Sequence, residues 1–297
     1  MGKKLKGVIP APLTPLTEQG KVDFELLQKQ ISWFLQAGVD GLFIGGTTGE
    51  GAYLSTAEKR DIFEAVQEVA AGRVMLCLAC IQPSTPQVLA ELEALEKLGP
   101  DFVVAVTPYY YDMPQEAIRS HFLQIAGRSP APVIIYNIPQ CTRNPISVET
   151  VLELANAANI GGVKDSSGDF VSFSRGLLGS VPAGFSWIMG EDALDGPAVL
   201  AGADGIVSGL SNVWVQFHVD LYRAGVAGDR DGVRKNQALI DRLYAIHRVT
   251  GGKVIPVLKA GAAFFGRGTR RMKIEALTLS DREADAVRRV LEDLRLL

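Results

Sequence analysis

The sequence predicts an α/β protein, a (β/α)8 TIM barrel with a small C-terminal helical extension. Three observations predict it: eight short, continuous apolar runs, helix-like segments between them, and 297 residues without a long linker. Continuous apolar runs of this length fit strands buried on both faces of a parallel sheet. Eight strand–helix alternations favour a closed barrel over an open doubly wound sheet, and a barrel fills ~250 residues as one domain. The barrel is placed at 1–225 and the helical extension of the same domain at 226–297.

In order, the runs are Gly7-Val-Ile-Pro, Gly41-Leu-Phe-Ile-Gly, Val74-Met-Leu-Cys-Leu, Phe102-Val-Val-Ala-Val, Val133-Ile-Ile-Tyr, Gly161-Gly-Val-Lys, Phe185-Ser-Trp-Ile-Met and Gly205-Ile-Val-Ser-Gly. Helix signals lie between them. Ser55 and Glu58 have capping-box spacing ahead of Ile62, Val66 and Val69. Ser84 and Pro86 open the segment beginning at Val88, Pro114 opens one carrying Ile118, Phe122 and Ile125, and Ser147 leads into Val151. After about residue 212 the strand signals stop. The stretches 212–228, 231–249, 253–265 and 281–295 read as helices, with Gly225, Gly228, Gly251, Gly252 and Gly266 as breaks.

Composition excludes several classes. Hydrophobic residues make up 47% and charged residues 21%, which is incompatible with a disordered chain. The net charge of −3 leaves no basic excess to neutralise a phosphate backbone, so nucleic acid is not an expected partner. No apolar run approaches the ~18 residues of a membrane span, and the first residues lack the apolar core of a signal peptide, so a cytoplasmic protein is expected. Cys77 and Cys80 form a C-x-x-C inside a strand, where positions three apart face opposite sides. Buried structural thiols are therefore expected, not a redox pair. His121, His218 and His247 have no ligand spacing, and no metal site is expected.

Four features carry chemistry. Lys164 ends the sixth run, at the barrel mouth where active sites lie. A lysine in an apolar strand loses hydration, which favours the neutral amine, and a neutral amine can form a Schiff base with a ketone. The competing reading pairs it with Asp165 or another carboxylate. Gly45-Gly-Thr-Thr-Gly-Glu-Gly follows the second run, and its backbone N–H groups and hydroxyls Thr47 and Thr48 suit a small anion. It lacks the lysine of a nucleotide loop, so a carboxylate is the better guest; the alternative is a plain glycine turn. Tyr136 ends the fifth run as a candidate proton carrier or, alternatively, an aromatic plug. Tyr109, Tyr110 and Tyr111, after the fourth run, read as interface residues. In one barrel these strand ends converge.

At these residues the chain resembles the dihydrodipicolinate synthase and N-acetylneuraminate lyase superfamily of Schiff-base pyruvate aldolases. The motifs are Gly46-Thr-Thr-Gly-Glu, Thr107-Pro-Tyr-Tyr, Tyr136-Asn-Ile-Pro and Gly162-Val-Lys-Asp-Ser-Ser-Gly-Asp, in family order and spacing across nearly the whole chain. The resemblance implies that Lys164 is the Schiff-base lysine. It implies that Tyr136 relays protons and contacts the keto-acid carboxylate, and that Thr47 and Thr48 cradle that carboxylate, with Thr48 also in the relay. Tyr110 would reach a neighbouring subunit's site, and the backbone of Val207 would line the pyruvate pocket. Gly190, after the seventh run, joins the substrate-binding set; the acids that follow it argue against a phosphate there. Lys259, also in apolar surroundings, is expected to be structural. No metal or organic cofactor is implied, since the lysine supplies the electrophile. A homodimer or homotetramer is expected.

One departure bears on substrate. The synthases carry an arginine two positions after the proline of Tyr-Asn-x-Pro, where this chain has Cys141; Arg143 lies two residues on. The expected activity is making or breaking a carbon–carbon bond beside a pyruvate unit, on a 2-keto-3-deoxy sugar acid or a 4-hydroxy-2-oxo acid. Ser166, Ser208 and Asn144 would supply neutral hydrogen-bonding groups. The alternative is a 4-hydroxy-tetrahydrodipicolinate synthase condensing pyruvate with aspartate semialdehyde. A sugar-acid dehydratase and a non-catalytic keto-acid binder rank lower.

Overall fold

Each of the eight apolar runs forms a strand: β1 (Gly7–Pro10), β2 (Gly41–Ile44), β3 (Met75–Cys80), β4 (Phe102–Val106), β5 (Val133–Asn137), β6 (Ile160–Asp165), β7 (Ser186–Met189) and β8 (Gly205–Ser208). The computed structural model describes residues 3–297. The strands are parallel and follow one another round the sheet, with β8 pairing back on β1. The remaining seam is closed by Asp40, just before β2. Its N–H donates to the Val8 carbonyl at 2.9 Å, and its carboxylate accepts the Val8 N–H at 2.8 Å. The result is a (β/α)8 barrel with a C-terminal helical segment.

Alternation along the strands divides the core in two. Phe102, Val104 and Val106 of β4 point into the barrel with Ile9, Phe43, Ala79, Ile134 and Ile188. Val103 and Ala105 point outward into the layer beneath the helices. Cys77 is in the inner set and Cys80 in the outer, so the two thiols sit on opposite faces of β3. Burial pushes both thiols up, as expected of inert core cysteines.

The helix signals are realised locally. Ser55 caps Thr56–Ala70 by accepting the Glu58 N–H at 3.2 Å, while Glu58 accepts the Ser55 N–H at 2.9 Å. Ser147 caps Val148–Ala155. Ser84 precedes Thr85–Leu95 without capping it; its hydroxyl bonds the side chain of Gln87 instead. Beyond β8 the helices are Ser211–Trp214, Gln216–Val226, Arg230–Leu243, Ala245–Arg248, Val254–Phe264 and Asp281–Asp293. One expected break is corrected. Gly225 lies inside a helix, and a Cβ there would come within 2.1 Å of Val199, so its glycine serves close packing. The other four breaks adopt positive φ, as turns do.

The C-terminal segment folds back over the barrel mouth. Ile255, Pro256 and Leu258 of Val254–Phe264, followed by Met272 and Leu277, form part of its wall. Among the described residues no helix is long and apolar enough to cross a membrane.

Candidate active site

The mouth holds a cavity of about 470 Å³. Strand register brings its residues together, since Lys164 of β6 pairs directly with Tyr136 of β5. Neighbouring parallel strands end at one level, so last residues that point inward converge. Lys164 is 6% exposed. Its Nζ lies 3.8 Å from the centroid of the Tyr136 ring and 4.7 Å from that of Phe43. Those aromatic faces suit a cationic nitrogen, whether ammonium or protonated imine.

Lys164 does not pair with Asp165. Asp165 lies on the other face of β6, where it accepts from Asn137 Nδ2 at 3.2 Å and from the Ser167 N–H at 2.7 Å. Burial raises the Asp165 carboxyl, and those hydrogen bonds oppose the rise. Glycine at 190 is a steric requirement: a Cβ there would stand 2.3 Å from Ser166 Oγ and 2.6 Å from Lys164 Cε. The bare backbone at 190 leaves the lysine its path.

Thr47 and Thr48 are half-buried on the loop after β2 and line the same cavity. The hydroxyl of Thr47 lies 3.4 Å from that of Tyr136. The hydroxyl beside Tyr136 is therefore that of Thr47, while Thr48 lies next to Gly209, where a Cβ would come within 3.4 Å of its Oγ1. Val207 lines the floor.

Tyr110 does not join this group within its own chain. It is 81% exposed at φ +85° and stacks edge-on against Tyr111. Of the three residues expected to offer neutral hydrogen-bonding groups, only Ser166 faces the cavity. Ser208 is fully buried and donates to Asp192. Asn144 is consumed in holding the loop after β4, through Pro108 O, Tyr111 O and the Met113 N–H, each at 2.8 Å. Cys141 lines the cavity, whereas Arg143 is exposed, at φ +62°, and lies outside it.

Glu191 and Asp192, the acids read from the sequence only as unfavourable to phosphate, line the cavity, as do Tyr244, His247 and Lys253, which the sequence did not place there. Burial, with Asp192 beside it, raises the Glu191 carboxyl. Burial, followed by the nearby Glu191, pushes the Tyr244 hydroxyl up to about 12. Lys253 donates to Glu283 at 2.6 Å. Behind this wall Asp192, Asp195 and His218 stand within 4.8 Å of one another, a clustering of ligand types that spacing alone did not suggest. Both ring nitrogens of His218 are engaged there, by Asp195 at 3.0 Å and Ser208 at 3.2 Å. A metal would have to displace one of those bonds.

A barrel whose mouth presents a buried lysine among aromatic rings and hydroxyls defines a class, the lysine Schiff-base, pyruvate-dependent lyases. The family model described as the dihydrodipicolinate synthetase family matches residues 4–294, and the chain belongs to that family. A 4-hydroxy-tetrahydrodipicolinate synthase of Neisseria meningitidis serogroup B is 32% identical over 289 residues, covering 97% of this chain and 98% of the relative. The crystal structure of dihydrodipicolinate synthase from Aquifex aeolicus superposes with a TM-score of 0.91 at 28% identity, covering 98% of this chain and 99% of that one. That of the Acinetobacter baumannii enzyme, complexed with pyruvate, does so with a TM-score of 0.91 at 25% identity, covering 99% and 100%.

Proposed function

We propose that this protein joins pyruvate to an aldehyde through a Schiff base on Lys164, in the manner of a 4-hydroxy-tetrahydrodipicolinate synthase acting in the cytoplasm. The observation that carries the reading is Lys164 itself: buried, without a carboxylate partner among the described residues, and seated 3.8 Å from the Tyr136 ring. The neutral amine attacks the keto carbon and water leaves. The protonated imine then draws electrons from the adjacent carbon, and loss of a methyl proton gives an enamine. The enamine attacks the aldehyde carbon, and hydrolysis of the imine restores the lysine. Tyr136 carries protons, with Thr47 as its neighbour at 3.4 Å and Thr48 nearby. Thr47, Thr48 and the backbone around Gly190 and Val207 hold the keto acid. Tyr110 completes the relay from a partner subunit.

The synthase reading, with aspartate semialdehyde as the aldehyde, rests on relatives named 4-hydroxy-tetrahydrodipicolinate synthase that match over nearly the whole chain. Three observations favour a second reading, cleavage of a 2-keto-3-deoxy sugar acid. Cys141 stands where the synthases have arginine, Arg143 is turned outward, and Glu191 and Asp192 face the cavity. A substrate carboxylate without its guanidinium forgoes a bond worth ~1.5–3 kcal/mol, or ~10–150-fold in affinity. A polyhydroxylated chain needs no such cation.

Borohydride trapping with pyruvate should modify the peptide containing Lys164. An adduct on Lys259, or none, would overturn the proposal. Condensation with aspartate semialdehyde and pyruvate release from 2-keto-3-deoxy sugar acids, assayed side by side, then separate the two readings by kcat/KM. Under the second reading, Cys141→Arg raises the condensation with the semialdehyde.

A further inference from the structure

Behind the cavity wall lies a chain of hydrogen bonds that the Schiff-base chemistry does not use. Asp192, in the turn after β7, faces the cavity. Its carboxylate accepts from the Ser208 hydroxyl at the end of β8, and weakly from the Leu210 N–H at 3.4 Å. The Ser208 oxygen accepts the Ser211 N–H at 2.9 Å and meets His218 Nε2 at 3.2 Å. His218 Nδ1 meets Asp195 Oδ2 at 3.0 Å. His218 and Asp195 are 0% and 1% exposed.

Counting donors sets the direction of every bond. A hydroxyl has one hydrogen and two lone pairs. Ionised Asp192 only accepts, so the Ser208 hydrogen goes to it. The Ser211 N–H takes one lone pair of Ser208, and His218 must donate Nε2–H to the other. One proton remains between His218 Nδ1 and Asp195, on the ring or on the carboxyl, and in either position the pair is neutral. Burial pushes the Asp195 carboxyl up to about 7, in keeping with a shared proton. Among the described residues the second oxygen of Asp195 has no hydrogen-bond partner. A buried polar pair of this kind is poor stabilisation, since well-packed apolar side chains of similar volume are often as good. What the pair contributes is the direction of a hydrogen bond at the cavity.

We propose that His218 and Asp195 are positioning residues for the carbon–carbon bond reaction: through Ser208 they fix the Asp192 carboxylate against the cavity wall, where it meets the second substrate beyond its pyruvate-derived carbons. The proposal rests on the pyruvate–aldehyde reading above. The substrate group that Asp192 receives is a hydrogen-bond donor, a hydroxyl or an ammonium.

The test uses the full-length enzyme with pyruvate and two aldehyde probes, glyceraldehyde and aspartate semialdehyde. Ser208→Ala and His218→Leu should raise the KM for the better aldehyde about tenfold or more, because a hydrogen bond to a charged group is lost. The pyruvate dependence of borohydride trapping should stay within about twofold of wild type. His218→Gln keeps a donor toward Ser208 and should restore most of the aldehyde KM. Asp195→Leu strips Nδ1 of its partner and should raise the aldehyde KM as His218→Leu does. If His218→Leu fails to fold, Ser208→Ala, a small buried change, gives the reading by itself. An unchanged aldehyde KM, a parallel loss of pyruvate trapping, or no recovery in His218→Gln would overturn the proposal. Absence of trapping in the wild type would instead sink the Schiff-base reading on which it rests.

Discussion

At the scale of single residues, the site is an amine held against two aromatic faces. Tyr136 has two separable roles: its ring packs edge-on against Phe43 with centroids 5.6 Å apart, and its hydroxyl meets Thr47. Tyr136→Phe keeps the first and removes the second. Turnover should fall ~10²–10⁴-fold, the usual contribution of a general acid–base group. The melting temperature should hardly move. Steady-state kinetics beside a thermal melt checks this, and unchanged turnover would reduce Tyr136 to a packing residue. Lys164 and Tyr136 were legible in the sequence because each ends an apolar run, and strand ends meet in any barrel. Ser208 was read correctly as a strand-end residue and wrongly as a substrate contact. Which lone pair a buried hydroxyl serves depends on the neighbouring elements.

At the scale of elements, the glycine-rich loop after β2 is anchored by the C-terminal segment. Glu50, fully buried at φ +58°, accepts the Lys273 N–H at 2.8 Å and pairs with the ammonium of Lys259. Lys259 also donates to the Arg271 carbonyl at 2.7 Å. Burial lowers the Lys259 ammonium, and Glu50 opposes that. Lys259→Met strands a buried carboxylate and should cost ~3–5 kcal/mol in denaturant unfolding. Adding Glu50→Gln should recover part of it; equal losses in the single and double variants would mean that the pair is not coupled. Nearer the surface, Glu283 caps Asp281–Asp293 with Ser280 and accepts from Lys253. Lys253, followed by the Ser280 backbone, depresses the Glu283 carboxyl to about 2. A depressed carboxyl stabilises the fold above its ordinary value, and that contribution is lost as pH falls through about 2. The melting-temperature gap between wild type and Glu283→Gln should therefore close on acidification from about pH 6 to about pH 2. A gap independent of pH would show that the charge is not what matters.

At the scale of the whole molecule, the loop after β4 leaves Tyr110 and Tyr111 81% and 69% exposed. Tyr110 holds a positive φ that a bulky residue keeps only when its surroundings impose it. We propose a homodimer or homotetramer in which a second copy covers this loop and receives Tyr110 at its own cavity. Light scattering at assay concentration should give at least twice the 31.9 kDa of one chain. Tyr110→Ala should lower turnover more than its exposure in one chain would suggest. A fully active monomer would refute both.

By itself, the sequence determined the fold class, the order of strands and helices, and the meeting of Lys164, Tyr136 and Thr47. Each follows from a local rule: apolar runs bury on both faces, capping boxes start helices, and parallel strands end on one rim. Thr48, Cys141, Gly190 and Val207 were also named from the motifs and line the cavity; tertiary structure alone decided its C-terminal wall. The helices 212–295 were legible as helices, but not that Val254–Phe264 and the residues after it would close the mouth. Glu50 and Lys273 bond across 223 positions, and Asp195 and His218 across 23, at no helical or strand period. A side chain's partner at such separation depends on how whole elements pack, and no local pattern records it.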